Sequence, residues 1–128
     1  MAKVLIVEDD QFLSKMYGKK FQLAGYQVEI AMDGQDGLSK MRLTKPDIVL
    51  MDIMMPKLNG LDAIIQAKSD ALIKNIPILV LTNLTNTDDA SMAVKNGAVG
   101  YLIKSDFTPT QVVDKVKGYL AGLPNSKA

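Results

Sequence analysis

Four short apolar runs, each followed by a polar or charged residue, place the strongest constraint on the fold of this chain. The runs are residues 4–7, 48–51, 78–81 and 101–103. Each run is continuous rather than alternating, a pattern typical of parallel strands that are buried on both faces. A fifth candidate, residues 26–30, alternates between apolar and polar side chains and indicates a more exposed strand.

Helical patterns separate these strands. Apolar residues recur there at the spacing of a helix face, and turn or capping residues bound each segment. The residues expected to bound the helices are Gly25 and Pro46 after the first and second, Gly60 before the third, Thr87 and Asn96 around the fourth, and Thr108 before the fifth. Thr87 and Thr108 are interpreted as N-cap residues, and Gln111 as the capping-box partner of Thr108.

The alternation of five strands with five helices predicts an α/β fold. Repeated βα units favour a doubly wound, five-stranded parallel sheet with helices on both faces. With 128 residues, the chain is long enough for one domain, which we expect to cover residues 1–122. Residues 123–128 are expected to be a frayed C-terminal tail or the start of a linker.

Composition excludes several classes of chemistry. The chain has no His and no Cys, so catalytic triads based on His, thiol nucleophiles, disulfides and zinc–thiolate sites are ruled out. Its net charge of +1 gives no general basic field, and we expect no direct contact with nucleic acid or membrane. The apolar runs are too short for a membrane span or a signal peptide, which favours a cytoplasmic location.

Charged and polar residues follow the apolar runs at the positions where an α/β sheet binds its ligands. In such sheets, ligands lie outside the carboxyl ends of the strands. The residues expected at that edge are Glu8, Asp9 and Asp10 after the first strand, Asp52 after the third, Thr82 after the fourth and Lys104 after the fifth. Taken singly, each has an ordinary explanation as a cap, a turn residue or a solvated side chain.

Taken together, these residues indicate a cation and a phosphoryl group. Two carboxylates about 4 Å apart repel by roughly 4 kcal/mol at an effective dielectric constant of 20, so a proton or a divalent cation is needed between them. Carboxylate oxygens without imidazole or thiolate favour Mg²⁺. Mg²⁺ combined with the Thr82 hydroxyl and the Lys104 ammonium suits a phosphoryl group, for which Asp52 is the best candidate acceptor.

The sequence resembles a response-regulator receiver domain of bacterial two-component signalling. The segments that carry the resemblance are residues 4–10, residues 47–56 with Asn59 and Gly60, residues 77–82 and residues 97–104, and the resemblance covers about residues 3–121. It implies a flavodoxin-like (βα)5 fold and a signalling role that is not that of an enzyme.

The resemblance also implies roles for individual residues. Asp52 would accept a phosphoryl group from the phosphohistidine of a sensor histidine kinase or phosphotransfer protein. Asp9, Asp52 and the backbone carbonyl of Met54 would bind Mg²⁺, and Glu8 would assist through a water molecule. Lys104 would pair with the phosphoryl oxygens.

The same resemblance implies a conformational switch. Thr82 would move to hydrogen-bond the phosphoryl group, and Tyr101 would follow it inward. The fourth helix, the fifth strand and the fifth helix would then present an altered surface to a downstream partner. The chain would be a monomer or a phosphorylation-dependent dimer. From its sequence alone, Tyr101 is also compatible with a strand aromatic that covers a helix.

Two positions depart from the family pattern, and two more are expected to affect how water reaches the phosphorylated Asp52. Ser105 follows Lys104 where the family usually has Pro, and we expect a trans peptide bond there because a cis bond before Ser costs about 3–4 kcal/mol. Asn83 stands where the family usually has a very small residue. Met54 and Leu84 are apolar and unable to orient a water, which predicts a long-lived phosphorylated state.

Two other functions remain as alternatives. A phosphatase with an Asp nucleophile would need a second Asp two residues after Asp52, where this chain has Met54. A receiver-like interaction module that is not phosphorylated would normally have lost the acidic pair, the acceptor Asp or the Lys, all of which are retained here.

Overall fold

The computed structural model describes residues 2–55 and 58–122, in which five strands alternate with five α-helices. The strands are β1 (Lys3–Val7), β2 (Gln27–Ala31), β3 (Ile48–Asp52), β4 (Ile78–Thr82) and β5 (Gly100–Ile103). The helices are α1 (Gln11–Leu23), α2 (Gly34–Thr44), α3 (Gly60–Lys68), α4 (Thr87–Lys95) and α5 (Pro109–Gly122). Single 3₁₀ turns occupy Leu84–Asn86 and Lys104–Asp106.

The strands form one parallel sheet in the order β2-β1-β3-β4-β5. This order is that of the flavodoxin-like doubly wound fold, so the predicted fold class is confirmed. All five residues of β3 and of β4 are buried, whereas most of β2 is partly exposed at the edge of the sheet. The patterns identified the buried strands β1, β3 and β4 and the exposed edge strand β2 correctly. The prediction is wrong for the run at residues 101–103, because β5 is the other edge strand and only Leu102 of its four residues is buried.

Helices cover both faces of the sheet. One core cluster joins the sheet to α1 and α5 through side chains such as Phe21 and Val116. A second cluster joins the other face to α2, α3 and α4 through side chains such as Leu38, Ile64 and Ala90. The central strands are thus buried on both sides, and the carboxyl ends of the strands remain as the accessible edge.

Most of the predicted helix ends are confirmed. Gly25 follows α1 with a φ of 96°, and α2 ends before Lys45 and Pro46. The capping box at the start of α5 is present: Gln111 N–H donates to Thr108 Oγ1 at 3.2 Å, and Thr108 N–H donates to Gln111 Oε1 at 2.8 Å.

The prediction that Thr87 is the N-cap of the fourth helix is wrong. Thr87 is the first residue of α4, and Asn86 occupies the N-cap position. The reason is local, because the 3₁₀ turn at Leu84–Asn86 leads directly into α4 and moves the helix start by one residue.

In the described part of the chain, no helix has the length and apolar character needed to cross a membrane. The predicted tail or linker at residues 123–128 lies outside the described residues.

Candidate functional site

Three carboxylates meet at the carboxyl edge of the sheet. Glu8 and Asp9 follow β1, and Asp52 is the last residue of the neighbouring strand β3. One carboxylate oxygen from each of these residues lies within 4.8 Å of the other two. Glu8 and Asp52 are buried and Asp9 is exposed, so the cluster opens to solvent on the Asp9 side.

Lys104 supplies a positive charge to this cluster from the end of β5. Its Nζ lies 2.8 Å from Glu8 Oε1 and 3.4 Å from Asp52 Oδ2. The other Glu8 oxygen, Oε2, accepts a hydrogen bond from Asp10 N–H at 3.2 Å. One ammonium therefore faces three carboxylates, which leaves the site with excess negative charge.

The pKa values of the site reflect this crowding. Burial raises the pKa of Glu8, and the hydrogen bond from Lys104 offsets only part of that effect. Burial and the neighbouring Glu8 raise the pKa of Asp9. Burial alone would lower the pKa of Lys104, but the hydrogen bond to Glu8 and the charge of Asp52 outweigh it, and the pKa is raised. The surroundings of Glu8 and Asp9 therefore disfavour the ionised form of these two carboxyls, and a cation beside them would offset that cost.

The donor chemistry of the cluster fits Mg²⁺. Its ligands are carboxylate oxygens, which are the donors that hard divalent cations prefer. Glu8, Asp9 and Asp52 come from adjacent strand ends and their oxygens are close enough to face one ion. The exposed side of the cluster leaves access for the water and phosphate oxygens that Mg²⁺ retains in its coordination sphere.

Two backbone contacts fix the position of Asp52. Its Oδ1 accepts a hydrogen bond from Met54 N–H at 3.3 Å. Gly60 packs directly on the Asp52 backbone: a Cβ atom at Gly60 would lie 2.5 Å from the Asp52 carbonyl oxygen and 2.8 Å from Ile53 Cα. Gly60 was expected to precede the third helix, but it is the first residue of α3 and Asn59 is the N-cap. Its contact with the Asp52 backbone could not be predicted from the sequence.

Thr82 and Tyr101 lie on the neighbouring strands. Thr82 ends β4 and is completely buried, and its Oγ1 donates a hydrogen bond to the Asn83 carbonyl at 3.0 Å. Tyr101 lies in β5 and is 37% exposed. The predicted set of Asp52, Thr82 and Lys104 is thus distributed over the ends of three consecutive strands, β3, β4 and β5.

The structure shows the surroundings of the four positions that depart from the family pattern or affect access to Asp52, namely Met54, Asn83, Leu84 and Ser105. Met54 and Leu84 are exposed by 51% and 68%, and Asn83 is exposed as well. No cis peptide bond occurs among the residues that the structure describes, so the trans bond expected between Lys104 and Ser105 is confirmed. Lys104 reaches the site without the usual Pro.

Asp10 does not join the acidic cluster, contrary to the expectation from the sequence. Its Oδ1 accepts a hydrogen bond from Leu13 N–H at 3.1 Å, and the residue is the N-cap of α1. Its position in the run made it look equivalent to Glu8 and Asp9, but the chain already turns into the helix there.

Comparison with known families identifies the family and its fold. The family model of the response regulator receiver domain matches residues 4–117. The chain belongs to this family. Receiver domains are generally signalling switches rather than classical enzymes, and they generally bind Mg²⁺ at an acidic pocket.

The receiver domain is similar to part of the sequence of two bacterial regulators of transcription or DNA binding. It is 32% identical over 118 residues to the DNA-binding response regulator MtrA of Mycobacterium tuberculosis H37Rv, covering 92% of this chain and 50% of MtrA. It is 33% identical over 118 residues to the alkaline phosphatase synthesis transcriptional regulatory protein PhoP of Bacillus subtilis, covering 92% of this chain and 48% of PhoP. The chain thus spans about half the length of these relatives. For the residues of this chain, the absence of direct contact with nucleic acid remains a prediction.

Solved structures support the same assignment. The chemotaxis protein CheY4 of Vibrio cholerae superposes with a TM-score of 0.83 at 32% identity, covering 92% of this chain and 98% of CheY4. A CheY-like receiver domain protein from Methanospirillum hungatei superposes with a TM-score of 0.86 at 25% identity, covering 94% of each chain.

Proposed function

We propose that this receiver domain is a phosphorylation-dependent switch. In this proposal, Asp52 accepts a phosphoryl group from the phosphohistidine of a sensor histidine kinase or phosphotransfer protein, in a reaction that requires Mg²⁺. The observation that supports it most is the approach of Lys104 Nζ to Asp52 Oδ2, 3.4 Å apart within an acidic cluster.

The chemistry follows from the arrangement of charges. A carboxylate oxygen of Asp52 attacks the phosphorus atom, the phosphorus–nitrogen bond of the donor breaks, and the imidazole leaves with the electron pair and takes up a proton. The Lys104 ammonium lies where it can stabilise negative charge on the phosphoryl oxygens. When bound, Mg²⁺ would neutralise further charge, held by Asp9, Asp52 and the carbonyl of Met54, with Glu8 assisting through water.

Phosphorylation would then bias a two-state element. Phosphorylation converts the singly charged Asp52 carboxylate into an aspartyl phosphate with a charge of about −2, in a site that Thr82 borders. The Thr82 hydroxyl would exchange the Asn83 carbonyl for a phosphoryl oxygen, and the half-exposed Tyr101 would move inward. The altered surface is that of α4, β5 and α5, where Met92 and Val94 are also partly exposed at 46% and 38%.

This surface would bind an unknown downstream partner or a second receiver domain. The domain would accordingly be a monomer, or a dimer that forms on phosphorylation. We place the switch in the cytoplasm, the usual location of response regulators.

Labelling with a small phosphodonor tests the proposal. Incubation with acetyl phosphate and Mg²⁺ should add the mass of one phosphoryl group, measured on the intact protein. Asp52→Asn should abolish the gain, whereas Asp10→Asn, which removes a nearby exposed carboxylate, should retain it. Absence of labelling in the wild type, or equal labelling of Asp52→Asn, would favour the unphosphorylated interaction module instead.

A further inference from the structure

Two exposed methionines stand out among the sulfur-containing side chains. The chain has 8 Met and no Cys, so all of its sulfur is in thioethers. Among the methionines that the structure describes, Met54 and Met92 alone are exposed, by 51% and 46%. The others are buried or partly buried: Met16, Met32, Met41, Met51 and Met55. Because the oxidation of methionine follows exposure, an oxidant in solution reaches Met54 and Met92 first.

Met54 lies beside the phosphorylation site, whereas Met92 does not. Met54 follows Asp52 by two residues, and its backbone N–H donates a hydrogen bond to Asp52 Oδ1 at 3.3 Å. The flexible side chain of Met54 therefore begins next to the acceptor carboxylate. Met92 lies within α4, a helix that contains none of the residues of the acidic cluster. The chain thus has one exposed methionine at the site and one of similar exposure away from it.

Hydrogen peroxide converts an exposed methionine thioether into a sulfoxide. The sulfur lone pair attacks one peroxide oxygen, the oxygen–oxygen bond breaks, and hydroxide leaves with the electron pair. The new hydroxyl group on sulfur then gives its proton to that hydroxide, so the products are methionine sulfoxide and water. Sulfur loses two electrons, and the peroxide gains them. The change is reversible, because methionine sulfoxide reductases restore the thioether.

Oxidation gives the Met54 side chain a hydrogen-bond acceptor. A thioether sulfur accepts hydrogen bonds only weakly, whereas a sulfoxide is polar and its oxygen accepts them well. The sulfoxide has no net charge, so it adds nothing to the negative charge of Glu8, Asp9 and Asp52. Because Met54 is already exposed, its oxidised side chain stays in water and leaves the buried core unchanged.

We propose that Met54 is an oxidation site whose sulfoxide shortens the lifetime of the phosphorylated domain, a proposal that rests on the phosphorylation of Asp52. The sulfoxide oxygen accepts a hydrogen bond from a water molecule and holds that water beside the phosphoryl group. The water oxygen attacks phosphorus, the bond between phosphorus and the Asp52 oxygen breaks, and the carboxylate keeps the electron pair. A proton of the water passes to solvent, and inorganic phosphate leaves. Peroxide thereby returns the switch to its unphosphorylated state.

The test compares the decay of the phosphorylated protein with and without prior treatment with hydrogen peroxide. Mass mapping of peptides from the treated full chain should locate added oxygen at Met54 and Met92 before Met41 and Met51. The chain is then labelled with acetyl phosphate and Mg²⁺, the donor is removed, and the loss of the phosphoryl mass is followed. Oxidation should accelerate this loss by about fivefold or more, and methionine sulfoxide reductase should restore the slow rate. The melting temperature should stay unchanged.

Two matched variants separate the effects of the two exposed methionines. In Met54→Leu, which has no sulfur at this position, peroxide should change the decay rate by less than about twofold. Met92→Leu should respond to peroxide as the wild type does.

Three results would overturn the proposal. They are an oxidised wild type that decays at the unoxidised rate, an equal acceleration in Met54→Leu, and a Met54 that resists oxidation while Met92 is oxidised. Failure of the untreated wild type to accept the phosphoryl group would instead refute the phosphorylation of Asp52, and this proposal with it.

Discussion

Lys104 lies close to two carboxylates, and its Nζ is nearer to Glu8 than to Asp52. Its Nζ lies 2.8 Å from Glu8 and 3.4 Å from Asp52, so Glu8 is the closer counter-ion. Both Glu8 oxygens are occupied, since the second accepts the Asp10 N–H. A cation that uses Glu8 must therefore compete with the Lys104 ammonium for it.

This competition predicts the effect of removing Lys104 on Mg²⁺ affinity. Lys104→Met should tighten Mg²⁺ binding by about tenfold, because a positive charge is removed and Glu8 is released. In a Glu8→Gln background the same substitution should have a smaller effect. Titration calorimetry at constant pH measures both, with Lys115→Met on α5 as the control. If Lys104→Met changes the Mg²⁺ affinity equally in the wild type and in Glu8→Gln, competition for Glu8 does not explain the effect of the lysine.

The identities of the site residues could be predicted from the sequence, but their pairings could not. Asp52, Thr82 and Lys104 were expected at one edge because each comes at the end of an apolar run, and the structure places them at the carboxyl ends of β3, β4 and β5. The choice of Glu8 as the closer partner of Lys104, 96 residues away, depends on the length of two side chains and on their burial. The pairing of Lys104 with Glu8 is determined by tertiary packing, and no pattern in the local sequence indicates it.

Met54 and Leu84 predict a slow loss of the phosphoryl group. Both side chains are exposed and apolar, and neither can orient a water for attack on an aspartyl phosphate. Met54→Asn combined with Leu84→Glu should accelerate dephosphorylation by about tenfold or more. The decay of the phosphorylated mass after removal of the donor measures this rate. Leu72→Glu, at another exposed leucine, is the control, and an unchanged rate in the double variant would contradict the prediction.

At the scale of elements, the start of α3 is fitted against the end of β3. Gly60 N–H donates to the Ile53 carbonyl at 2.9 Å, and a methyl group at Gly60 would meet backbone atoms rather than a flexible side chain. Gly60→Ala should therefore lower the free energy of unfolding by about 1–3 kcal/mol. Urea unfolding measures the change.

A matched substitution controls for the effect of glycine on helices in general. A Cβ atom at Gly118 of α5 would meet nothing within 4 Å in the described part of the chain. Gly118→Ala should raise the stability by up to about 1 kcal/mol. Equal and stabilising effects at Gly60 and Gly118 would refute the proposed contact with Asp52.

An ion pair joins α2 to the turn after α3 and predicts a pH dependence. The hydrogen bond from Arg42, together with the Leu72 N–H, lowers the pKa of Asp70 below its ordinary value of 3.8. A lowered folded-state pKa contributes stability above the unfolded-state value, and this contribution is lost as the pH falls through the folded-state value. Wild type should therefore be more stable than Arg42→Met at neutral pH.

The difference between these two proteins should narrow as the pH falls below 3.8. Urea unfolding over a pH series measures it. Lys95→Met, at an exposed lysine of α4, serves as the control for a change in net charge. If the difference in stability between wild type and Arg42→Met does not vary with pH, the ion pair between Arg42 and Asp70 is not its cause.

Element boundaries were predictable where one residue has a specific capping role. The capping box of Thr108 and Gln111 marked the start of α5, and Gly25 marked the end of α1. The start of α4 was misplaced by one residue because Asn86, Thr87 and the acids after them are all acceptable near a helix N-terminus. The preceding 3₁₀ turn decides among them.

At the scale of the whole molecule, the alternation of strands and helices predicted a parallel sheet, but it does not determine which strands are neighbours. The order β2-β1-β3-β4-β5 places β1 beside β3, which brings Glu8 and Asp9 to Asp52. That adjacency is a long-range property of the chain. The resemblance to receiver domains implied it, and the apolar runs alone did not.

The central claim concerns one carboxylate among 12 aspartates and 2 glutamates. Borohydride reduces an aspartyl phosphate to homoserine, so peptide mapping after treatment with acetyl phosphate and Mg²⁺ locates the phosphorylated residue. The account predicts homoserine at position 52 alone, and none when Mg²⁺ is withheld. Homoserine at another carboxylate with Asp52 unmodified, or labelling of Asp52 that is independent of Mg²⁺, would contradict it.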